Sequence, residues 1–175
     1  FERFNVLDDG SYPTIPSLGI TFNGAIPEDA PWATSVYTLE YDGYADFPKY
    51  PINFLADLNA VLGIIYEHTI YPNLTAEQLG TAIELPMSEG YDGNTQYFMI
   101  PSEILPLLMP LQSIPVVGMP LYDLLEPAMR VLVNLGYGSI TDGWSSGPAD
   151  VASTFELFPT DLDWGEVLTA LANGA

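Results

Sequence analysis

Thr34 to Tyr41 reads TSVYTLEY and runs straight into Asp42-Gly43. Further on, Ile52 to Tyr66 reads INFLADLNAVLGIIY, and Thr95 to Ile100 reads TQYFMI. The first and last of these are rich in β-branched and aromatic residues and end at turn formers, so they are expected to be strands. In the middle stretch Leu55, Leu58, Leu62 and Ile65 recur three and four apart, which predicts a helix with one apolar face, opened by Pro51. Strand, helix and strand in this order predict an α/β fold. Only two or three strands are visible, a small sheet, which points to further strands outside this sequence.

Around this unit the signals are local. Residues 1–33 carry many turn formers, among them Asp8-Asp9-Gly10, Pro13, Pro16, Gly24 and Pro27, with Gly19-Ile20-Thr21-Phe22 as a short buried strand between them. Thr75-Ala76-Glu77-Gln78 is a capping box that opens a short second helix, and this reading takes precedence over Asn73-Leu74-Thr75 as a glycosylation sequon. Ile104 to Tyr122 contains no charge, but prolines at 101, 106, 110, 115 and 120 break any spanning helix. Residues 101–120 are therefore expected to form an irregular apolar cover. Leu121 to Leu135 is helical again, with Pro127 kinking or splitting it, and Thr160 is expected to cap an amphipathic helix from Asp161 to Leu171.

The 175 residues suffice for one domain with a core, and 48% of them are hydrophobic, too many for a disordered tail. Charge is one-sided, with 3 Lys+Arg against 23 Asp+Glu and a net charge of −20. Almost nothing is available to neutralise phosphates, which argues against nucleic acid and against electrostatic docking on anionic lipid. With no Cys, disulfides and thiolate metal sites are excluded; a single His argues against a zinc site, and no cofactor is expected. The N-terminus, Phe1-Glu2-Arg3-Phe4, reads as the interior of a longer, processed or truncated chain.

His68 is the one histidine, the residue type whose ordinary pKa lies nearest neutrality, and by itself it reads first as a hydrogen-bonded structural residue. Asp46, in the loop after the first strand, stands where a carboxylate can accept a His N–H and fix its tautomer. Asp42, directly at the strand end, is the rival acid and otherwise a turn former. Gly143-Trp144-Ser145-Ser146-Gly147 matches G-x-S-x-G. It lacks the strand before and the helix after that a nucleophile elbow needs, so Ser145 is read as a chance match. No phosphate-cradling glycine loop occurs.

Several stretches together resemble one family. They are Gly19-Ile20-Thr21-Phe22-Asn23-Gly24-Ala25, Tyr41-Asp42-Gly43-Tyr44-Ala45-Asp46-Phe47-Pro48, Leu55-Ala56-Asp57-Leu58-Asn59-Ala60, Leu105-Pro106-Leu107-Leu108, and Arg130 to Gly138. In order and spacing they resemble the PE-PPE domain of mycobacterial and related cell-envelope proteins, a serine hydrolase family similar to cutinases and lipases. The resemblance implies an α/β-hydrolase-like (cutinase-like) sheet with flanking helices, incomplete here. Residues 1–175 would then be the C-terminal part of one domain. It implies a Ser-Asp-His triad acting on acyl esters or envelope glycolipids by hydrolysis or acyl transfer, in a secreted or cell-envelope protein with possible peripheral membrane association. Asp46 fits the acid and His68 the histidine. The family's Gly-Tyr-Ser nucleophile motif has no match in this chain, so the serine would come from an upstream segment or a companion chain. Leu105, Leu107, Leu108, Met109, Leu111, Val116, Val117 and Met119 would line an acyl-chain site or pack the core. The intervening helix of about 14 residues spans roughly 21 Å, so its direction decides whether Asp46 and His68 meet. The rival class is a non-catalytic lipid- or protein-binding module on the same shell.

Overall fold

The computed structural model describes residues 11–12, 14–22, 31–151 and 153–173. The turn formers at Asp8 to Gly10, Pro13, Gly24 and Pro27 lie outside the described residues. Two-residue strands β1 (Thr14–Ile15) and β2 (Ile20–Thr21) pair antiparallel across a 3-10 turn, Pro16–Leu18. The strand expected at Gly19 to Phe22 is thus shorter than its sequence suggested. Thr21 and both residues of β1 are exposed.

The sheet that organises the molecule has three strands. β3 (Thr34–Leu39) runs parallel to β5 (Thr95–Ile100), in register from Thr34 opposite Thr95 to Leu39 opposite Ile100. β4 (Ile83–Glu84) pairs antiparallel on the far side of β5, giving the order β3-β5-β4. Tyr37 and Phe98 face each other across the parallel pair and stack at 4.9 Å, the cross-strand contact that aromatic residues favour. The fold is therefore α/β with a small mixed sheet and flanking helices.

Helix α1 (Phe54–Tyr66) starts two residues later than the periodicity suggests, because the Asn53 side chain accepts from Ala56 N and caps it. Its orientation reverses the expectation. The buried face carries Ala56, Asn59, Ala60 and Gly63, while Leu55, Leu58 and Ile65 are exposed and Phe54 is 78% exposed. The cause is a close approach. A Cβ on Gly63 would lie 1.8 Å from the carbonyl oxygen of Tyr41, and one on Gly43 would lie 2.5 Å from that of Ala60. Only the small-residue face of α1 fits against the turn that follows β3, so the large apolar side chains point away from it.

Helix α2 (Ala76–Gly80) carries the capping box complete: Thr75 accepts from Gln78 N, and the Gln78 side chain accepts from Thr75 N. Residues 101–120 begin as the expected irregular cover, with a 3-10 turn at Pro106–Leu108 and a short α3 (Met109–Gln112), but α4 (Gly118–Asn134) opens inside that stretch and runs on through Pro127. The apolar residues of the segment divide. Leu105 and Leu108 join Tyr41, Ala56, Tyr122, Val133 and Tyr137 in the main core, whereas Val117 and Met119 are half exposed and Val116 is 92% exposed. Leu105 and Leu108 are thereby core packing and not an acyl-chain lining. The last helix, α5 (Trp164–Asn173), is capped by Asp163, whose Oδ1 accepts from Gly165 N and Glu166 N, and not by Thr160. Among the described residues no helix is long and apolar enough to cross a membrane.

Candidate active site

The site is built on the turn that ends β3. Tyr41 takes a left-handed backbone with φ 65°, which costs a non-glycine residue about 1–2 kcal/mol. Its side chain is buried and anchored: the hydroxyl donates to Asn134 Oδ1 at 2.8 Å and accepts from Arg130 Nη1 at 3.1 Å. That reversal turns Asp42 inward, where it is 1% exposed.

The Asp42 carboxylate holds three donors. Oδ1 accepts from Tyr44 N at 3.0 Å, and Oδ2 accepts from His68 Nδ1 at 2.8 Å and from the Tyr71 hydroxyl at 3.0 Å. His68 reaches it because the C-terminal half of α1 crosses the turn at Gly63, and the chain leaves α1 directly into the 3-10 turn His68–Asn73. The imidazole lies edge-on between the rings of Tyr44 at 4.9 Å and Tyr71 at 5.6 Å. Its side chain stays 46% exposed, and among the described residues Asp42 is the ring's only hydrogen-bond partner. A carboxylate on Nδ1 fixes the tautomer with the proton there and leaves Nε2 with a lone pair, the arrangement of a general base.

The acid that meets His68 is therefore Asp42, and the expectation of Asp46 is corrected. After Asp42 the chain makes a helical turn, with Ala45 N and Asp46 N both donating to Asp42 O at 3.0 and 2.9 Å. This carries residue 46 back under the molecule instead of out over the sheet edge. There its buried Oδ2 accepts from Ser145 N at 3.3 Å. Ser145 itself is buried in a loop with no strand before it and no helix after it. His68 lies beside the turn that carries Asp42.

Three residues absent from the sequence reading surround the pair. Glu40 is buried and accepts from Ser102 N at 2.7 Å and Gly143 N at 2.9 Å, tying the ends of both long strands to the 140s loop. Burial raises its pKa, against the opposing pull of those hydrogen bonds and of Arg130. Glu67 is buried beside His68 and accepts from Ser102 Oγ at 2.9 Å; burial raises its pKa, and the charges of Glu40 and Asp42 add to the effect. Tyr71 is the third. Nothing in composition or spacing marks these residues, because each acts through a tertiary approach. A cleft of about 580 Å³ opens beside the pair, lined by Leu39, Glu67, Ile70, Ser102 and Ile104, although neither Asp42 nor His68 lines it. Among the described residues no group of three or more His, Asp or Glu is placed to hold a metal ion.

The sequence model of the PE-PPE domain matches residues 5–138. The chain is 51% identical over 149 residues to "Esterase PE16" of Mycobacterium tuberculosis, which covers 85% of this chain and 26% of that protein. It is 47% identical over 160 residues to "PE family protein PE3" of the same organism, covering 91% of this chain and 32% of the relative. At 25% identity over 159 residues it also resembles "Diacyltrehalose acyltransferase Chp2", covering 88% of this chain and 42% of that protein. The chain thus spans about a quarter to a third of the length of its more similar relatives. No solved structure matches.

Proposed function

The chain belongs to the PE-PPE domain family, and from that premise we propose that it supplies the acid and histidine of a serine esterase or acyltransferase. The observation that carries this reading is the buried Asp42 on Nδ1 of a His68 side chain that stays 46% exposed. In the proposed reaction His68 Nε2 takes the proton of a serine hydroxyl as that oxygen attacks the ester carbonyl. Asp42 stabilises the imidazolium that forms. His68 then returns the proton to the departing alcohol, and the acyl-enzyme passes to water or to a second hydroxyl. The printed names of the esterase and acyltransferase relatives support both outcomes as a class, with lipid esters as substrates.

The serine would come from a part of the α/β-hydrolase-like domain beyond these residues. Support comes from β3 lying at the edge of the sheet with no partner on its outer side among the described residues, and from the outward apolar side chains of α1. Residues 1–175 are on this reading the C-terminal part of that domain, working at the cell envelope. In the full-length protein, His68→Ala is expected to lower kcat for p-nitrophenyl ester hydrolysis by several orders of magnitude while the circular-dichroism spectrum stays unchanged. Unchanged turnover in a folded variant would remove the catalytic reading and leave the pair as a structural tie in a binding module.

A further inference from the structure

Tyr71 lies three residues beyond His68 on the same 3-10 turn and has no part in the reaction described above. Its hydroxyl accepts from Leu39 N, the last residue of β3, at 3.0 Å, and lies 3.0 Å from Asp42 Oδ2. A tyrosine hydroxyl has one proton to give. With the Leu39 N–H occupying a lone pair, that proton is directed at Asp42. Burial raises the pKa of Tyr71, so the proton stays on the oxygen throughout the neutral range. The oxygen of Asp42 that receives it is the same one that receives His68 Nδ1.

We infer that Tyr71 is a positioning residue, which fastens the Asp42 carboxylate to the end of β3 so that Oδ2 stays against His68 Nδ1. Tyr44 N holds only Oδ1, and a carboxylate held at one oxygen can rotate about its Cβ–Cγ bond. The Tyr71 bond at Oδ2 removes that freedom. Because the bond begins on a β3 backbone N–H, the position of the acid is referred to the sheet and not to the exposed turn. The inference rests on the Asp42–His68 reading, and two separate readouts keep the two apart.

The first readout is the His68 ring itself. In full-length protein labelled with 15N at histidine, the His68 signals are assigned by their loss in H68A. The neutral ring is expected to show one tautomer, protonated at Nδ1. In Tyr71→Phe, which deletes the hydroxyl alone, a mixture of both tautomers is expected. The second readout is ester hydrolysis, where Tyr71→Phe is expected to lower kcat about 10- to 100-fold with KM changed less than about twofold. A single Nδ1–H tautomer retained in folded Tyr71→Phe overturns the inference. If Asp42→Asn leaves turnover unchanged while Tyr71→Phe still mixes the tautomers, the catalytic reading falls and the positioning role of Tyr71 stands. Should Tyr71→Phe not fold, 3-fluorotyrosine at position 71 replaces it, since it keeps the ring and donates more strongly. Two donors share Oδ2, so the His68 Nδ1–H resonance is then expected to move upfield. An unmoved resonance overturns the inference.

Discussion

Tyr41 and Asp42 show how much a single backbone conformation decides. With an ordinary extended Tyr41, β3 would continue and residue 42 would lie on the strand; at φ 65° the chain reverses and Asp42 enters the interior against His68. The two acids of the turn should therefore separate cleanly on substitution. Asp42→Asn presents an amide to His68 Nδ1, favours the wrong tautomer and is expected to lower kcat on the order of 10³–10⁴-fold, by analogy with the acid of a protease triad. Asp46→Asn places an amide N–H₂ into a buried carboxylate site that receives Ser145 N. It is expected to lower stability by about 1–3 kcal/mol while kcat changes less than about twofold. Ester kinetics and urea melts of the two full-length variants check this, and a larger kcat loss at position 46 would reverse the assignment. The strand-end turn was legible in sequence, and His68 was legible as a candidate. Which acid faces the histidine was not, because nothing in the identity of a tyrosine announces a left-handed backbone held by Asn134 and Arg130 from a distant helix.

At the level of elements, strands β3 and β5 and the capping box of α2 followed directly from local pattern. Helix α1 was legible as a helix but not in its orientation. The 3.6-residue periodicity picks out Leu55, Leu58, Leu62 and Ile65, whereas the turn at Tyr41 to Gly43 selects Ala60 and Gly63 for their lack of volume, as Gly136 selects Ala56. A hydropathy pattern weighs the apolar content of a face and is blind to how closely a backbone must approach it. Gly63→Ala tests that approach, because its Cβ would meet a backbone oxygen, which cannot rotate aside. The variant is expected to be destabilised by about 3 kcal/mol, at the upper end of overpacking costs, and to lose esterase activity as Asp42 moves with the turn. Gly80→Ala at the end of α2 meets nothing within 4 Å and serves as the matched control, expected to be neutral or stabilised by up to about 1 kcal/mol. Equal melting curves for the two variants would mean that α1 does not depend on the close contact.

For the whole molecule the governing quantity is negative charge, a formal −20 with buried carboxylates inside it. Burial raises the pKa of Glu40 and of Glu67, and desolvation raises that of Asp57 to about 6. Asp57 Oδ1 is buried with no hydrogen-bond partner among the described residues, so its charged form is not compensated by them. A carboxyl whose folded pKa lies above its unfolded value binds more protons in the native state. Between the two values stability therefore falls as pH rises. For Asp57 the window runs from the ordinary carboxylate value near 4 to about 6: its contribution is fully present below the window and lost above it. Glu40 and Glu67 act with the same sign, and the relief of repulsion among the remaining carboxylates adds to it. Asp150 runs the other way, because the Ser88 hydroxyl and backbone N–H lower its pKa, but that contribution is lost only below the ordinary carboxylate range. The melting temperature is accordingly expected to rise by several degrees from pH 8 to about pH 5.5, and at pH 8 to rise with added sodium chloride as the surface charges are screened. Asp57→Asn removes a charge that the fold does not compensate. It is expected to raise the melting temperature at pH 8, to leave it nearly unchanged at pH 4.5, and so to flatten the pH profile. A scan of wild type and Asp57→Asn at these values decides the matter: parallel profiles would show that Asp57 ionises without cost in the folded chain, and a wild-type optimum above pH 7 would mean that the buried carboxylates do not govern its acid–base behaviour.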